Sequence, residues 1–462
     1  MNINALLKKI PAREKIKNGE IYLVGGAIRD FLLDIEPMDF DIIVKGSGLE
    51  FAKRLSISIG GKLVVLSEED DEARIVISSK CWFDVSGIKG SNIEEDLRKR
   101  DFTINALAIS LYGEPTLLDP LDGIKDIENK VIRTPSPSNL EEDPLRLLRA
   151  FRFASTLNFK IDEKTFKWIG DKSNLIKNVA PERVRTELFL LLQGDEIYKN
   201  LEGMTQCSLL ESIFPEIIPL KETTQIFIEE INLLTHSLLT VENFEKILKK
   251  PPPQLEKYVE FLTVFLSEPT NRALMFLGAL FHDIGKPDTL FIDKEGKTHF
   301  YGHEKIGAVK AEEIAKRLRF SKKEKELFKF IVRNHMYPHF LSNNPPTPRA
   351  LHRYLKKTGE LAFPLLVLAY ADASATPPMG GLEGHLILAE KLKDYLLKER
   401  EKPKERLVTG NDLIARGLKP GPIFKEILNE IEELEAEGKI KTRKDALRIL
   451  DEIIEKKRLL KS

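Results

Sequence analysis

At 462 residues the chain is longer than one hydrophobic core supports, so several folded units are expected. Its 72 Lys and Arg balance 72 Asp and Glu, which excludes a globally basic polyanion binder and confines any nucleic-acid surface to a local patch. No run reaches the ~18–20 uncharged apolar residues of a membrane span. The two cysteines, Cys81 and Cys207, are too far apart to suggest a disulfide framework or a metal knuckle. The first residues show no secretory pattern, so a cytoplasmic protein is expected.

Residues 1–135 alternate strand and helix signals. Apolar or β-branched runs at Ile21–Val24, Phe40–Val44, Lys62–Leu66, Ala73–Ser78 and Trp82–Val85 predict strands, with helices over Ala27–Leu33 and Leu49–Ile59. That pattern predicts a small α/β domain with a mixed sheet. Gly25 and Gly26 lie in the turn between the first strand and the helix carrying Arg29 and Asp30, where backbone N–H groups can approach a triphosphate. Asp39 and Asp41 alternate along one strand and so share a face, with Phe40 turned behind them. Two such carboxylates repel unless a cation lies between them, and Mg²⁺ suits carboxylates completed by water and substrate phosphates. Asp84, on the strand where Phe83 faces the other way, is a candidate third carboxylate. Together these are the parts of a two-metal phosphoryl-transfer site.

The stretch from Arg100 to Ala108 predicts a basic flank entering a helix with Phe102, Asn105 and Ala106 on one face. Arg100 would reach a nucleotide phosphate or ribose, with Asp101 and Asn105 orienting sugar or backbone. The segment Asp119–Gly123 predicts a turn, and Pro135-Ser136-Pro137-Ser138 a linker into an almost wholly helical remainder. A helix capped by Ser138 or Asn139 then carries Glu142, Asp143, Arg146 and Arg149 at i+3/i+4 spacing, making Asp143 and Arg146 neighbours. They form either an ordinary intrahelical ion pair or an acceptor–donor couple matched to the Watson–Crick edge of one base. Pro181 opens a further helix, where Glu182 and Arg183 read as structural.

Further on, His236, His282-Asp283-Ile284-Gly285-Lys286, His303, His335 and Asp372 form a spaced series of imidazoles and carboxylates. Such a set suits a divalent transition metal that activates water. His299, His339, His352 and His385 fall outside the series and read as ordinary surface or core residues.

The ordered set Gly25-Gly26-x-x-Arg29-Asp30, Asp39-x-Asp41, Arg100-Asp101-Phe102-Thr103-Ile104-Asn105-Ala106, Glu142-Asp143-x-x-Arg146-x-x-Arg149 and Glu182-Arg183 resembles the class II tRNA nucleotidyltransferases. These are the CCA-, CC- and A-adding enzymes and the related bacterial poly(A) polymerases. The histidine series resembles the HD-domain phosphohydrolases. Together the resemblances imply an α+β chain of four parts: a polymerase-β-like nucleotidyltransferase head (1–135), an all-α neck and body (136–225), an HD-type helical domain (226–380) and a helical tail (381–462).

The implied activity is template-independent extension of the tRNA 3′ end with C, and in some members A, from CTP and ATP. Asp39 and Asp41, with Asp84, would hold Mg²⁺. Gly25, Gly26 and Arg29 would meet the triphosphate, and Arg100 and Asp101 the ribose and phosphates. Asp143 and Arg146 would pair with the incoming base, positioned by Glu142 and Arg149. The tail would share in contacts to the tRNA acceptor and TΨC region. At the HD site, His236, His282, Asp283 and Asp372 would hold a divalent metal, His303 and His335 would be the extra ligands of two-metal members, and Lys286 would bind phosphate. The sequence departs from the family pattern in two places. Lys99 stands where an arginine is common, and residues 85–93 are short where many CCA-adding members carry a flexible loop tied to the switch from CTP to ATP. The short loop points to a CC-adding specialist. The rival expectations are a bacterial poly(A) polymerase, and an HD phosphohydrolase whose head merely binds RNA.

Overall fold

The computed structural model describes residues 3–11, 13–16, 19–79, 81–226, 230–375, 381–401 and 406–459. The last residues of the expected HD segment, 376–380, lie outside the described residues. The chain forms two compact units, Met1–Pro215 and Glu216–Ser462.

The first unit is built on a sheet of β1 (Ile21–Val24), β2 (Asp39–Val44), β3 (Lys62–Ser67), β4 (Glu72–Ser78), β5 (Cys81–Gly87), β6 (Ala108–Ser110) and β7 (Leu117–Leu118), in the order β3-β4-β5-β2-β1-β6-β7. Within this sheet only β2 and β5 run parallel; every other neighbouring pair is antiparallel. The mixed sheet is as expected, and the two short strands β6 and β7 extend it. Alternation along β2 and β5 buries Phe40 and Phe83, whose rings meet at 5.8 Å behind the sheet. Burying a phenyl ring stabilises the fold by roughly 1.5–3 kcal/mol, so a one-residue slip that also exposed both rings would be costly. Helix α1 (Gly26–Leu32) follows β1. Helix α2 (Gly48–Ile59) opens on Ser47, whose side chain accepts from the Glu50 N–H, and closes on the left-handed Gly60.

Three local expectations are overturned. After α3 (Ile93–Arg98), residues 102–106 make one 3₁₀ turn over Thr103–Asn105 rather than a helix. The Asp101 carboxylate accepts from the Phe102 N–H at 2.8 Å, and the chain then enters β6 to pair with β1. The Pro-Ser-Pro-Ser stretch is not a linker but a helix start: Ser136 caps α4 (Pro137–Glu142), with Pro137 in the first turn, so neither Ser138 nor Asn139 is the cap. Finally, the helix expected to run through Glu142 and Arg149 is broken. Asp143 is extended (φ −137°, ψ 95°), and α5 (Leu145–Leu157) begins after Pro144. A residue before proline is pushed out of the α region, which ends α4 where the side-chain periodicity alone would continue it.

Among the described residues, the second unit is helical apart from two short two-stranded ribbons. Among its helices are α6 (Leu233–Lys249), α7 (Pro269–Phe281), α8 (His303–Arg317), α9 (Lys322–Asn334), α10 (Met336–Ser342), α11 (Ala362–Ser374) and α12 (Gly381–Glu401). The buried set Leu274, Phe276, Phe281, Phe328, Ile331 and Leu366 forms its interior.

Candidate functional sites

In the first unit, the parallel register sets Asp41 beside Asp84 and Asp39 beside Trp82. Gly25 closes the end of β1 at φ 74°, a left-handed conformation. A Cβ there would lie 2.7 Å from the Arg100 guanidinium and 3.1 Å from Asp41 Oδ2. The glycine therefore leaves space for Arg100 and Asp41 to converge on the turn. Its own N–H donates to the Leu107 carbonyl at 3.1 Å, which anchors the turn to the sheet.

Burial pushes the Asp41 carboxyl up to about 6. Arg100 and Arg29 oppose that rise, while Asp39 and Asp84 add to it. Carboxylates that resist ionisation for want of counter-charge fit a divalent cation. Asp84 instead accepts two hydrogen bonds from Arg74, from Nε at 2.7 Å and from the second guanidinium nitrogen at 2.8 Å.

Asp41, Asp84, Lys99, Arg100 and Arg146 line one cavity of about 330 Å³. The paired-carboxylate strand and the first turns of α5 thus border the same space. Asp143 and Arg146 do not bond each other through their side chains. Asp143 accepts from Arg183 at 2.8 Å, whereas Arg146 donates to the Asn139 carbonyl at 2.9 Å and lies 4.0 Å from Glu142. The intrahelical ion pair is therefore replaced, because the break at Pro144 takes Asp143 off the helix. Arg183, read as structural, is what holds it.

Behind the cavity runs a chain of charge-assisted bonds. Arg29 donates to Asp30 (2.6 and 2.8 Å) and to the Asn105 side chain (2.6 Å), and Asn105 donates to Asp101 (3.0 Å). Asp101 receives Arg149 (2.7 and 3.0 Å), and Glu187 receives Arg149 (3.2 Å) and Arg152 (3.0 Å). Burial works to raise the Asp101 carboxyl, but Arg149, the Asn105 hydrogen bond and the Arg146 charge outweigh it and hold it at about 2. Arg152 stacks 3.6 Å from the centre of the Phe153 ring, with Arg29 4.9 Å from it. Phe153 and Glu187 carried no sequence signal of this role beyond helical spacing. Asn139 ties the layers together by donating to the Arg98 and Arg100 carbonyls at 2.8 and 2.6 Å.

The second unit gathers all six residues of the histidine series. His236 (α6), His282 and Asp283 (just past α7), His303 (first in α8), His335 (just past α9) and Asp372 (α11) converge, five of them buried. Among the described residues, two groups could each hold an ion: His236, His282 and Asp372, and Asp283, His303 and His335. Asp283 lies between them. Its Oδ2 is 3.1 Å from His282 Nε2 and 3.6 Å from His236 Nε2, while its Oδ1 is 3.3 Å from His303 Nε2.

Three of these imidazoles are oriented by their own backbone: Nδ1 of His282, His303 and His335 donates to the carbonyl three residues earlier, at 2.9, 2.8 and 2.7 Å. That turns Nε2 of each inward, as in metal-binding histidines. Burial works to lower His282, but the Asp283 and Asp372 charges outweigh it and push it up to about 10, so a ligated ion would displace its Nε2 proton. The ligand-type atoms of His236, His282 and Asp372, and of Asp283, His303 and His335, lie within 4.8 Å of one another in each group, so the donor sets fit cations. Burial, with the neighbouring His282 and His303 charges, holds His335 far below its usual range, neutral and ready to ligate. Lys286 Nζ lies 2.6 Å from Asp283 Oδ2. Gly285 passes so close to α8 that a Cβ would meet the His303 carbonyl oxygen at 2.2 Å.

His339, expected to be unconnected, belongs here. Its Nε2 is 2.9 Å from Asp372 Oδ2, and its Nδ1 is 3.1 Å from Nε2 of His385, also expected to be ordinary. Its position four residues after His335, one helical turn on, was the available signal. His299 pairs with Asp293 at 2.7 Å, and His352 with the Tyr395 hydroxyl at 3.0 Å.

Residues 21–92 and 88–133 match the family described as Poly A polymerase head domain, residues 233–376 the HD domain, and residues 387–450 the tRNA nucleotidyltransferase domain 2. A CC-adding tRNA nucleotidyltransferase of Thermus thermophilus is 30% identical over 442 residues, covering 92% of each chain. An A-adding tRNA nucleotidyltransferase of Deinococcus radiodurans is 29% identical over 435 residues, covering 92% of this chain and 93% of its own. The solved Thermotoga maritima CCA-adding enzyme in complex with tRNA superposes with a TM-score of 0.69 at 22% identity, over 98% of both chains.

Proposed function

Since the chain belongs to the tRNA nucleotidyltransferase family, we propose that it extends tRNA 3′ ends with C from CTP and stops at CC. The observation that carries the transferase chemistry is the shared cavity, which Asp41 and Asp84 enter from the sheet and Arg146 from α5.

In this reading Asp39 and Asp41, joined by Asp84, hold divalent metal, with Mg²⁺ the ion proposed. Bound there, such an ion lowers the pKa of the RNA 3′-hydroxyl and neutralises the triphosphate. The chain's own residues do the positioning, which is most of the catalysis in phosphoryl transfer. Arg100 and Arg29 supply positive charge beside the Gly25–Gly26 turn, where the triphosphate is placed. Asp101, Asn105 and Arg149 act through their bonds to fix Arg29 and the base of α5. Asp143 and Arg146, each held by a separate partner, present an acceptor and a donor fork to one base edge, with Glu142 beside Arg146. Residues 136–225 form the neck and body in this scheme, and the helices beyond residue 380 add tRNA contacts.

The stop at CC rests on the connection between β5 and α3. Only residues 88–92 separate the two elements. They are pinned by the Ile88 N–H to the Val44 carbonyl (3.0 Å), the Lys89 N–H to Asp96 (2.9 Å) and the Ser91 N–H to Glu95 (2.9 Å). A segment so short and so bonded cannot refold over the base site to change its preference from C to A. The test is extension of tRNA lacking its three terminal nucleotides, with CTP alone, ATP alone, or both. Two added nucleotides with CTP, and no third when ATP joins, are expected. A third nucleotide added with both substrates overturns the stop at CC, and open-ended A tailing without CTP favours a poly(A) polymerase.

A second activity is proposed for the histidine centre, on its two ligand groups, His236, His282 and Asp372, and Asp283, His303 and His335. It is a two-ion phosphohydrolase site in which Asp283 faces both ions and Lys286 receives substrate phosphate, on RNA ends or nucleotides.

A further inference from the structure

The carboxylate site contains a cation of its own. Register places Asp41, Asp84 and Arg74 side by side on the adjacent strands β2, β5 and β4, a row of two negative groups and one positive group on a single face. Both Asp84 oxygens are taken by Arg74, so the third carboxylate is committed before any metal arrives. In keeping with this, among the described residues the groups of three ligand-type side chains with all ligand atoms within 4.8 Å occur only at the histidine centre, and Asp39, Asp41 and Asp84 are not so gathered. The Arg74 guanidinium also lies 5.1 Å from the centre of the Trp82 ring, on the residue that pairs with Asp39 in the β2–β5 register. The Arg74 and Asp84 side chains are 38% and 27% exposed, so the pair holds Asp84 in place yet is weak enough to be displaced.

We propose that Arg74 is a place-holding cation: it occupies Asp84 until a divalent ion enters beside Asp41, then yields the carboxylate and leaves the face of Trp82. Arg74 is thus a positioning residue, keeping Asp84 aimed into the cavity and unavailable to stray cations. The inference rests on the metal-dependent reading of the head.

The chain has two tryptophans, so Trp168→Phe leaves Trp82 as the sole indole reporter. In that background, Mg²⁺ or Mn²⁺ is titrated while Trp82 emission and Mn²⁺ binding by electron paramagnetic resonance are followed together. Ions bound at the head are counted as the difference from the same chain carrying Asp39→Asn and Asp41→Asn. Saturable change in Trp82 emission, tracking head occupancy, is expected. Arg74→Ala should abolish that change and tighten Mn²⁺ binding by up to about five-fold, the scale of a half-exposed ion pair. Arg74→Lys should restore part of both effects. Head binding that saturates with Trp82 emission unmoved, or Arg74→Ala binding Mn²⁺ no tighter, overturns the proposal. No difference in Mn²⁺ count between the parent and the double-asparagine chain overturns the metal reading of the head itself.

Discussion

The two candidate metal centres are prepared in opposite ways. The head site is open and half-exposed, its carboxylates spread across neighbouring strands, with arginines supplying the nearest positive charge. The histidine centre is closed and buried, with three imidazoles oriented by an Nδ1–H bond to their own backbone. The difference follows from what completes each site. An ion that shares its coordination with substrate phosphates and water needs room and only a few protein ligands, whereas one held mainly by the protein needs them preset. The arrangement of donors thus fits the proposed division between a substrate-borne ion at the head and a resident ion at the histidine centre.

The strongest test of this contrast is the pair of strand carboxylates. Asp39→Asn with Asp41→Asn is expected to reduce nucleotide addition by at least about 10³-fold, while the metal content of the histidine centre is unchanged by elemental analysis. Retained addition would break the contrast from the side of the head. Next come the histidine-centre ligands. Asp283→Ala, at the residue facing both groups, should remove all tightly bound transition metal, whereas His335→Ala should remove about half. His339→Ala should keep the full count but weaken affinity by about 10–100-fold, as loss of a ligand-orienting partner does. Equal effects of the three substitutions would mean one ion rather than two.

The smallest effect is on stability. Asp101 is held at about 2 in the fold, below its unfolded value, so its contribution is present above pH ~4 and lost as pH falls from about 4 to 2. That contribution is about 2 kcal/mol. Asp101→Asn should remove this acid-limb loss from denaturation curves. An unchanged slope between pH 2 and 4 would mean that Arg149 does not hold the carboxyl down.

Much of this was legible in the chain. The strands and the shared face of Asp39 and Asp41 follow from period-two alternation, and the six-residue histidine series from residue type and order. The misses have physical causes. Helical periodicity ran straight through Pro144, where backbone restriction overrules side-chain pattern, and Pro137 read as linker although proline suits a helix's first turn, so α4 and α5 read as one element preceded by a linker. Arg74 and Arg183 escaped because their importance lies in a cross-strand register and an inter-helix contact, neither of which a linear spacing reveals. His339 was one helical turn from a recognised ligand, but a lone histidine there cannot be told from a core residue without knowing that Asp372 lies across from it.

The interruption at Asp143–Pro144 has one more consequence. With the backbone leaving the helix there, the Asp143 carboxylate and the Arg146 guanidinium, the groups proposed to read the base, stand on two independent supports rather than one rod. Each can be reset by substitution in its own support: α4 and Arg183 for the acid, Asn139 and the first turn of α5 for the base. A lineage could retune which nucleobase is welcome by small shifts on one side of this split frame, without rebuilding the other. Closely similar chains that differ in the nucleotide they add are what such a hinged caliper would permit.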